Sequence, residues 1–307
     1  MREARPVRTR PTGRLPVAAL VALLSAATPA MAHEPLWGET PTIFGPGVFH
    51  PEIRLAYMRL GSASRPGDQS DRSLAQEYGL QYGVNRWVNV RMTVPVAATE
   101  FEQNLGGSLE RTTVSGIGDI VLEAKCRFRP VQETGMQRSH AVIVGWKLPT
   151  GADDALAPDG SRLPPGTQAG TGHHGYDLGY AFDRETLGDT FWASAVLHRE
   201  IGGDFRRGDH LEVDAAYGVW GIRPNTAEDL GVNVAFGVHG ESTDSDRLEG
   251  GGSAGNAHRF AGVLISPIVT KGRYQFRVGL LVPLIKRGDE DENDFGYEVR
   301  AGWEAFF

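Results

Sequence analysis

The sequence predicts an all-β protein, a closed antiparallel transmembrane β-barrel of about twelve strands. Three observations point there. The chain opens with an export leader. Beyond it, apolar and polar residues alternate with period two in stretch after stretch, and no apolar run has the length of a membrane-spanning helix. The last residue, Phe307, closes an alternating, aromatic-rich segment.

The leader has the three parts of a secretory signal. Met1 to Arg14 carries five arginines and one glutamate, Leu15 to Ala27 is largely apolar, and Thr28-Pro29-Ala30-Met31-Ala32 places small residues at alternate positions. Cleavage is expected before His33. This divides the chain into a signal peptide (1–32), an N-terminal periplasmic segment (33–46) and an outer-membrane barrel (47–307). Loss of the leader takes the formal net charge from −7 to −11, which excludes a basic nucleic-acid-binding face. No cysteine stands at the cut to carry a lipid. The single cysteine, Cys126, excludes a disulfide framework and a cysteine metal site, and reads as a small packing residue.

Period-two alternation puts one set of side chains on each face of a strand. Phe295, Tyr297, Val299, Ala301, Trp303, Ala305 and Phe307 alternate with Glu298, Arg300 and Glu304. Ile120 to Phe128 repeats the pattern against Asp119, Glu123, Lys125 and Arg127, and Leu211 to Val219 against His210, Glu212 and Asp214. Val232–Val238, Tyr274–Val282 (with Arg277 on the polar face) and Tyr78–Val84 follow suit. Weaker candidates are 49–60, 87–98, 139–148, 176–184, 191–201 and 258–268.

In a barrel whose N-terminus faces the periplasm, short turns follow even strands and long loops follow odd ones. Asn85-Arg86 and Val269–Gly272 read as turns. The polar links 61–73, 99–115, 149–175, 242–256 and 284–294 read as outer loops. Pro130–Arg138 is long for a turn and Gly202–Gly208 short for an outer loop. Tyr57, Tyr82, Trp87, Trp146, Tyr274 and Trp303 are candidates for the interfacial aromatic girdles.

Gly116-Ile117-Gly118-Asp119-Ile120-Val121-Leu122-Glu123-Ala124-Lys125-Cys126-Arg127-Phe128 resembles the family named for the meta-pathway of phenol degradation. Lys147-Leu148-Pro149-Thr150-Gly151 is similar to a second feature of that family, a strand end before a long loop. The alternating aromatic C-terminus fits as well, and Cys126 departs from the aromatic residue expected there. The resemblance implies an outer-membrane β-barrel transporter and brings no catalytic residues with it.

Of the chemistry-bearing groups, His173-His174 lies in a glycine-rich outer loop with Asp153, Asp154 and Asp159. Adjacent histidines do not readily converge on one ion, so a solvated loop is expected. The pair His33-Glu34 at the mature terminus and the acidic run Asp289–Asp294 read the same way, although the acidic run could also draw cations to a pore mouth. His140, His198, His210, His239 and His258 fall on different strands with no nucleophile elbow, metalloprotease pair or phosphate loop, which argues against a hydrolase. Neither a cofactor nor a metal is expected. The inward rows are Asp119, Glu123, Lys125, Arg127, Glu212, Asp214, Arg277, Glu298 and Arg300. They carry both signs and suit a passive channel or transport component for a small solute, an aromatic compound on the family's name. The alternative is a non-conducting barrel that is structural or an efflux partner. The expected partners are outer-membrane lipid, the barrel-insertion machinery and the solute. Fractionation should recover a protein beginning at His33 from the outer membrane, released only by detergent. Intact protein in a lipid-free periplasmic extract would contradict the barrel.

Overall fold

The computed structural model describes residues 35–61, 69–105, 108–156, 168–202, 205–224, 228–248, 253–255, 257–288 and 295–307. The long strands are β1 (Phe49–Gly61), β2 (Gln69–Asn85), β3 (Val88–Leu105), β4 (Ser108–Ile117), β5 (Ile120–Glu133), β6 (Met136–Leu148), β7 (His174–Thr186) and β8 (Asp189–Ile201). After the short β9 (Phe205–Arg206) come β10 (His210–Ile222) and β11 (Leu230–Thr243). The short β12 (Asp246–Leu248) and β13 (Ser253–Gly255) precede β14 (His258–Lys271), β15 (Tyr274–Gly288) and β16 (Phe295–Ala305).

Each long strand pairs antiparallel with the next, and β16 pairs with β1. β4 and β5 share one position in the wall. β4 covers Val96–Leu105 of β3 and β5 covers Val88–Thr93, with a break at Gly118-Asp119. Counted so, the wall is a closed twelve-strand meander. β9, β12 and β13 form a separate three-stranded sheet over the end from which the long links leave, called here the outer end.

Alternation decides which way each side chain faces. On β14, Val263, Ile265 and Val269 are 36–41% exposed, while Leu264, Ser266 and Ile268 between them are at most 7% exposed. The same exposed apolar row continues through Val213 and Tyr217, Phe236 and Val238, Val278 and Leu280. So much contiguous apolar surface is not tolerated in water, and it is the outer face of a barrel in hydrocarbon. Aromatics mark its edges. At the turn end Phe49 packs on Tyr82 (4.8 Å between ring centroids) and Tyr274 stacks on Trp303 (6.3 Å). Toward the outer end, Tyr57 meets Tyr297 and Trp146 meets His174.

Strand runs into the links expected at 61–73, 269–272 and 284–294, since β2 begins at Gln69, β14 ends at Lys271 and β15 ends at Gly288, and two further links differ more. Residues 99–115, read as a long loop, are mostly ladder: β3 and β4 continue as a paired hairpin from Val96 to Ile117. Beyond the hydrocarbon a strand needs no apolar face, so Glu100, Glu102, Glu110 and Arg111 erase the alternation while the backbone pairing persists. Residues 130–138 are not a long turn either. The register shifts between Phe128 and Val131, with Arg129 at φ 47°, and β5 then runs on to a two-residue turn at Thr134-Gly135. The bulge displaced the pattern and disguised the strand.

The seam between β1 and β16 runs from Glu52↔Glu304 to Leu60↔Phe295. Phe49 and Phe307 extend it by exchanging backbone hydrogen bonds of 3.0 Å each. A charge driven into the lipid face tests the assignment of faces. Ile265 lies at mid-strand between Phe236 and Leu280, so Ile265→Arg should cost about 2–4 kcal/mol and sharply reduce the heat-modifiable band on gels. Leu122→Arg, opposite Trp146 near the outer edge, should cost no more than about 1 kcal/mol.

Candidate functional site

The lumen is filled from within. Residues 33–46 were expected in the periplasm, yet the described part of that segment, from Pro35, lies inside the barrel. Leu36, Trp37 and Phe44 are at most 2% exposed. Below the barrel these three side chains would meet water. Inside it they are covered, and their backbone finds partners. Arg277 Nη1 donates to the Pro35 carbonyl and Arg300 Nη1 to the Leu36 carbonyl, both at 3.1 Å. The Glu39 N–H donates to Ser194 Oγ (3.0 Å) and the Phe44 N–H to Asn89 Oδ1 (3.2 Å).

The plug also completes the wall's charge pairing. Glu39 receives Arg91 Nη2 and Lys125 Nζ, each at 2.7 Å. Arg91 reaches Glu123 at 2.9 Å as well. The Trp37 indole N–H donates to Glu298 Oε2 (3.4 Å), while Arg300 holds Glu298 at 2.5 Å and lies 5.0 Å from the centroid of the Trp37 ring. Breaking one side of a buried pair costs about 3–5 kcal/mol. The plug is therefore held by the charges it neutralises, and it can leave only if water replaces it.

Two glycines make room for it. A Cβ on Gly279 would lie 2.2 Å from the Trp37 ring, and one on Gly83 would lie 2.0 Å from the Gly45 carbonyl oxygen. At the turn end Phe44, His50 and Phe306 form a ring cluster with centroids 4.5–5.6 Å apart, which closes the lumen beside the seam. Arg277, fully buried, bonds Glu304 at 3.1 Å and lies 4.0 Å from Glu52, between two glutamates that face each other across the seam.

The predicted inward residues occupy four regions. Glu123, Lys125, Arg277, Glu298 and Arg300 surround the plug. Arg127 sits at the turn end, where its guanidinium donates to the Arg86 carbonyl at 3.0 Å. Asp119 lies in the break between β4 and β5 and ties down the link from β6 to β7. It accepts from Gly151 N (2.9 Å), Thr171 N (2.8 Å) and Thr171 Oγ1 (2.7 Å). Burial pushes its carboxyl up, but these bonds and the Lys147 charge hold it below the ordinary aspartate range.

Glu212 and Asp214 belong to a belt of histidines that sequence reading left scattered. Cross-strand register places Asp177, His198, His210, Thr243 and His258 opposite one another in turn around β7, β8, β10, β11 and β14. Glu212 and Glu241 pair one layer deeper, and Asp214 and His239 the layer after that. The available signal was position: His210, Thr243 and His258 each begin or end a strand at the outer end. His140 is apart from them, paired with Tyr180 at 2.6 Å on the outer face. His173 and His174, among the described residues, join no group of three potential metal ligands. Asp159, Asp289–Asp294 and His33-Glu34 lie outside the described residues.

A closed wall with an apolar exterior and a charged, segment-filled interior defines the class: an outer-membrane β-barrel of channel type. The family described as "Putative MetA-pathway of phenol degradation" matches residues 63–270, and the chain belongs to it. Its fold is similar to an outer membrane channel from Pseudomonas putida F1 at a TM-score of 0.65, with 14% identity over 86% of this chain and 97% of that one. It is more loosely similar to the transport unit of the autotransporter AIDA-I from Escherichia coli, at a TM-score of 0.46 with 7% identity over 85% of this chain and 89% of that one. No curated protein matches the sequence.

If the two glycines seat the plug, Gly83→Val and Gly279→Val should expel it without opening the wall. Limited proteolysis should then cut within residues 35–48 severalfold faster than in the parent, with heat-modifiable migration retained. Equal cleavage rates would show that the plug does not depend on these close approaches.

Proposed function

We propose that the protein is a plug-gated outer-membrane channel for a small solute. The observation that carries this reading is the arrangement at the centre of the barrel. A wall lined with both signs of charge is occupied by a segment outside the ladder, joined to β1 through Gly45-Pro46-Gly47, where Gly47 has φ 83°. Withdrawal of residues 35–44 toward the turn end would leave Arg91, Lys125, Glu123, Glu298 and Arg300 facing water, a transverse field suited to a small polar or ionisable solute. The family description supports an aromatic compound as that solute. A phenolic ring with a polar edge matches a lumen where Trp37 lies against the Arg300–Glu298 pair.

In this reading the mature protein begins at His33 after removal of the leader. Phe307 serves the barrel-insertion machinery as well as the seam. The test is conductance of the mature protein in a planar bilayer, beside Glu39→Ala and Trp37→Ala. The parent should open rarely, and both variants should raise the mean conductance severalfold, because each removes contacts made only when the plug is seated. Silent bilayers from well-inserted parent and variants alike would favour the non-conducting alternative.

A further inference from the structure

The histidine belt has the geometry of a metal site. His198 places Nδ1 2.8 Å from Asp177 Oδ1, which turns Nε2 toward Glu212 Oε2 at 3.9 Å, where it has no hydrogen bond. His210 places Nδ1 2.7 Å from Thr243 Oγ1 and Nε2 3.3 Å from Glu212 Oε1. Two imidazoles from neighbouring strands thus aim the same ring nitrogen at one carboxylate, each oriented through its other nitrogen by an acceptor behind it. The ligating atoms of the three residues lie within 4.8 Å of one another. Zinc–ligand bonds near 2.1 Å in a tetrahedron put ligand atoms about 3.4 Å apart, so small side-chain movements close the set. The carboxylate and hydroxyl behind the rings are the outer-shell partners that metal-ligating histidines use.

We propose that His198, His210 and Glu212 bind one divalent first-row transition-metal ion in the outer half of the lumen. Two imidazoles and a carboxylate, with a position left for water, suit zinc and its neighbours and exclude calcium or magnesium as the preferred ion. The three side chains are 25–38% exposed, so an ion arriving through the outer end can reach them. Glu241, 4.0 Å from His258, adds negative charge beside the site. Lys147 is engaged by Asp119 and Glu200. The bound ion would clasp β8 to β10.

The test uses untagged mature protein folded in detergent, titrated with Co2+ and followed by the visible absorption of four-coordinate cobalt, with Zn2+ as competitor. The parent should take up one equivalent that Zn2+ displaces. His198→Gln, His210→Gln and Glu212→Gln should each weaken uptake at least tenfold, and the double variant His198→Gln/His210→Gln should abolish it. Asp177→Ala, which removes only the orienting acceptor, should weaken it about tenfold. Heat-modifiable migration establishes that each variant is folded. The double variant His173→Gln/His174→Gln should bind like the parent. Absence of saturable uptake by the folded parent would overturn the proposal. So would uptake that survives His198→Gln/His210→Gln or is lost in His173→Gln/His174→Gln.

Discussion

A polypeptide crossing hydrocarbon must satisfy every backbone N–H and C=O from within, because each group left unpaired costs several kcal/mol. In this protein that requirement is met at the join of β1 with β16, extended by the reciprocal bonds of Phe49 and Phe307. Closure fixes the faces: with the ladder shut, alternate residues have only lipid or lumen to point to. The apolar rows through Phe236, Ile265 and Leu280 take the first, and the rows through Lys125, Arg277 and Glu298 take the second. The seam itself puts Glu52 opposite Glu304, a repulsive pair unless a cation stands between them. Arg277 supplies that cation and also donates to the Pro35 carbonyl, so closure of the wall and seating of the plug share one guanidinium.

A lumen lined with charge has two ways to stay stable, by filling with water or by pairing its charges. The structure pairs them. Glu39 enters from the plug between Arg91 and Lys125, and the indole of Trp37 donates a hydrogen bond to Glu298 under the face of Arg300. A plug held mainly by apolar contact would lose all of its attraction on leaving. One held by charge pairs trades protein partners for water, so its release is governed by hydration of the lumen. The outer belt is held differently: His198 bonds Asp177 and His239 bonds both Asp214 and Glu241, and the plug meets the belt at its deep side, where Gly38 passes close against Asp214.

Much of this is legible in the sequence alone. Alternation at residues 120–128, 211–219 and 295–307 identified strands and separated inward charges from outward apolar residues, because a two-residue period leaves no other way to place a side chain. It failed where the period carries no hydrophobic signal. Beyond the lipid, the β3–β4 hairpin is polar on both faces, and at Arg129 a bulge broke the phase. The placement of residues 35–48 was also hidden. A fourteen-residue segment with Leu36, Trp37 and Phe44 has no regular period, and nothing local distinguishes a tail below a barrel from one folded into it.

The sequence by itself determined the class of fold, the faces of the clearly alternating strands and the charged character of the lumen, since these follow from backbone satisfaction and a period of two. Which charges meet was decided only by tertiary structure. Register around a closed barrel brings together residues far apart in the chain, such as Trp37 with Glu298, Glu52 with Glu304, and His198 with His210 and Glu212. Register depends on where each turn and bulge falls, and a single residue of slip exchanges the faces. The strand pattern could therefore announce a polar interior without saying whether it was open, plugged or fitted with a ring of histidines.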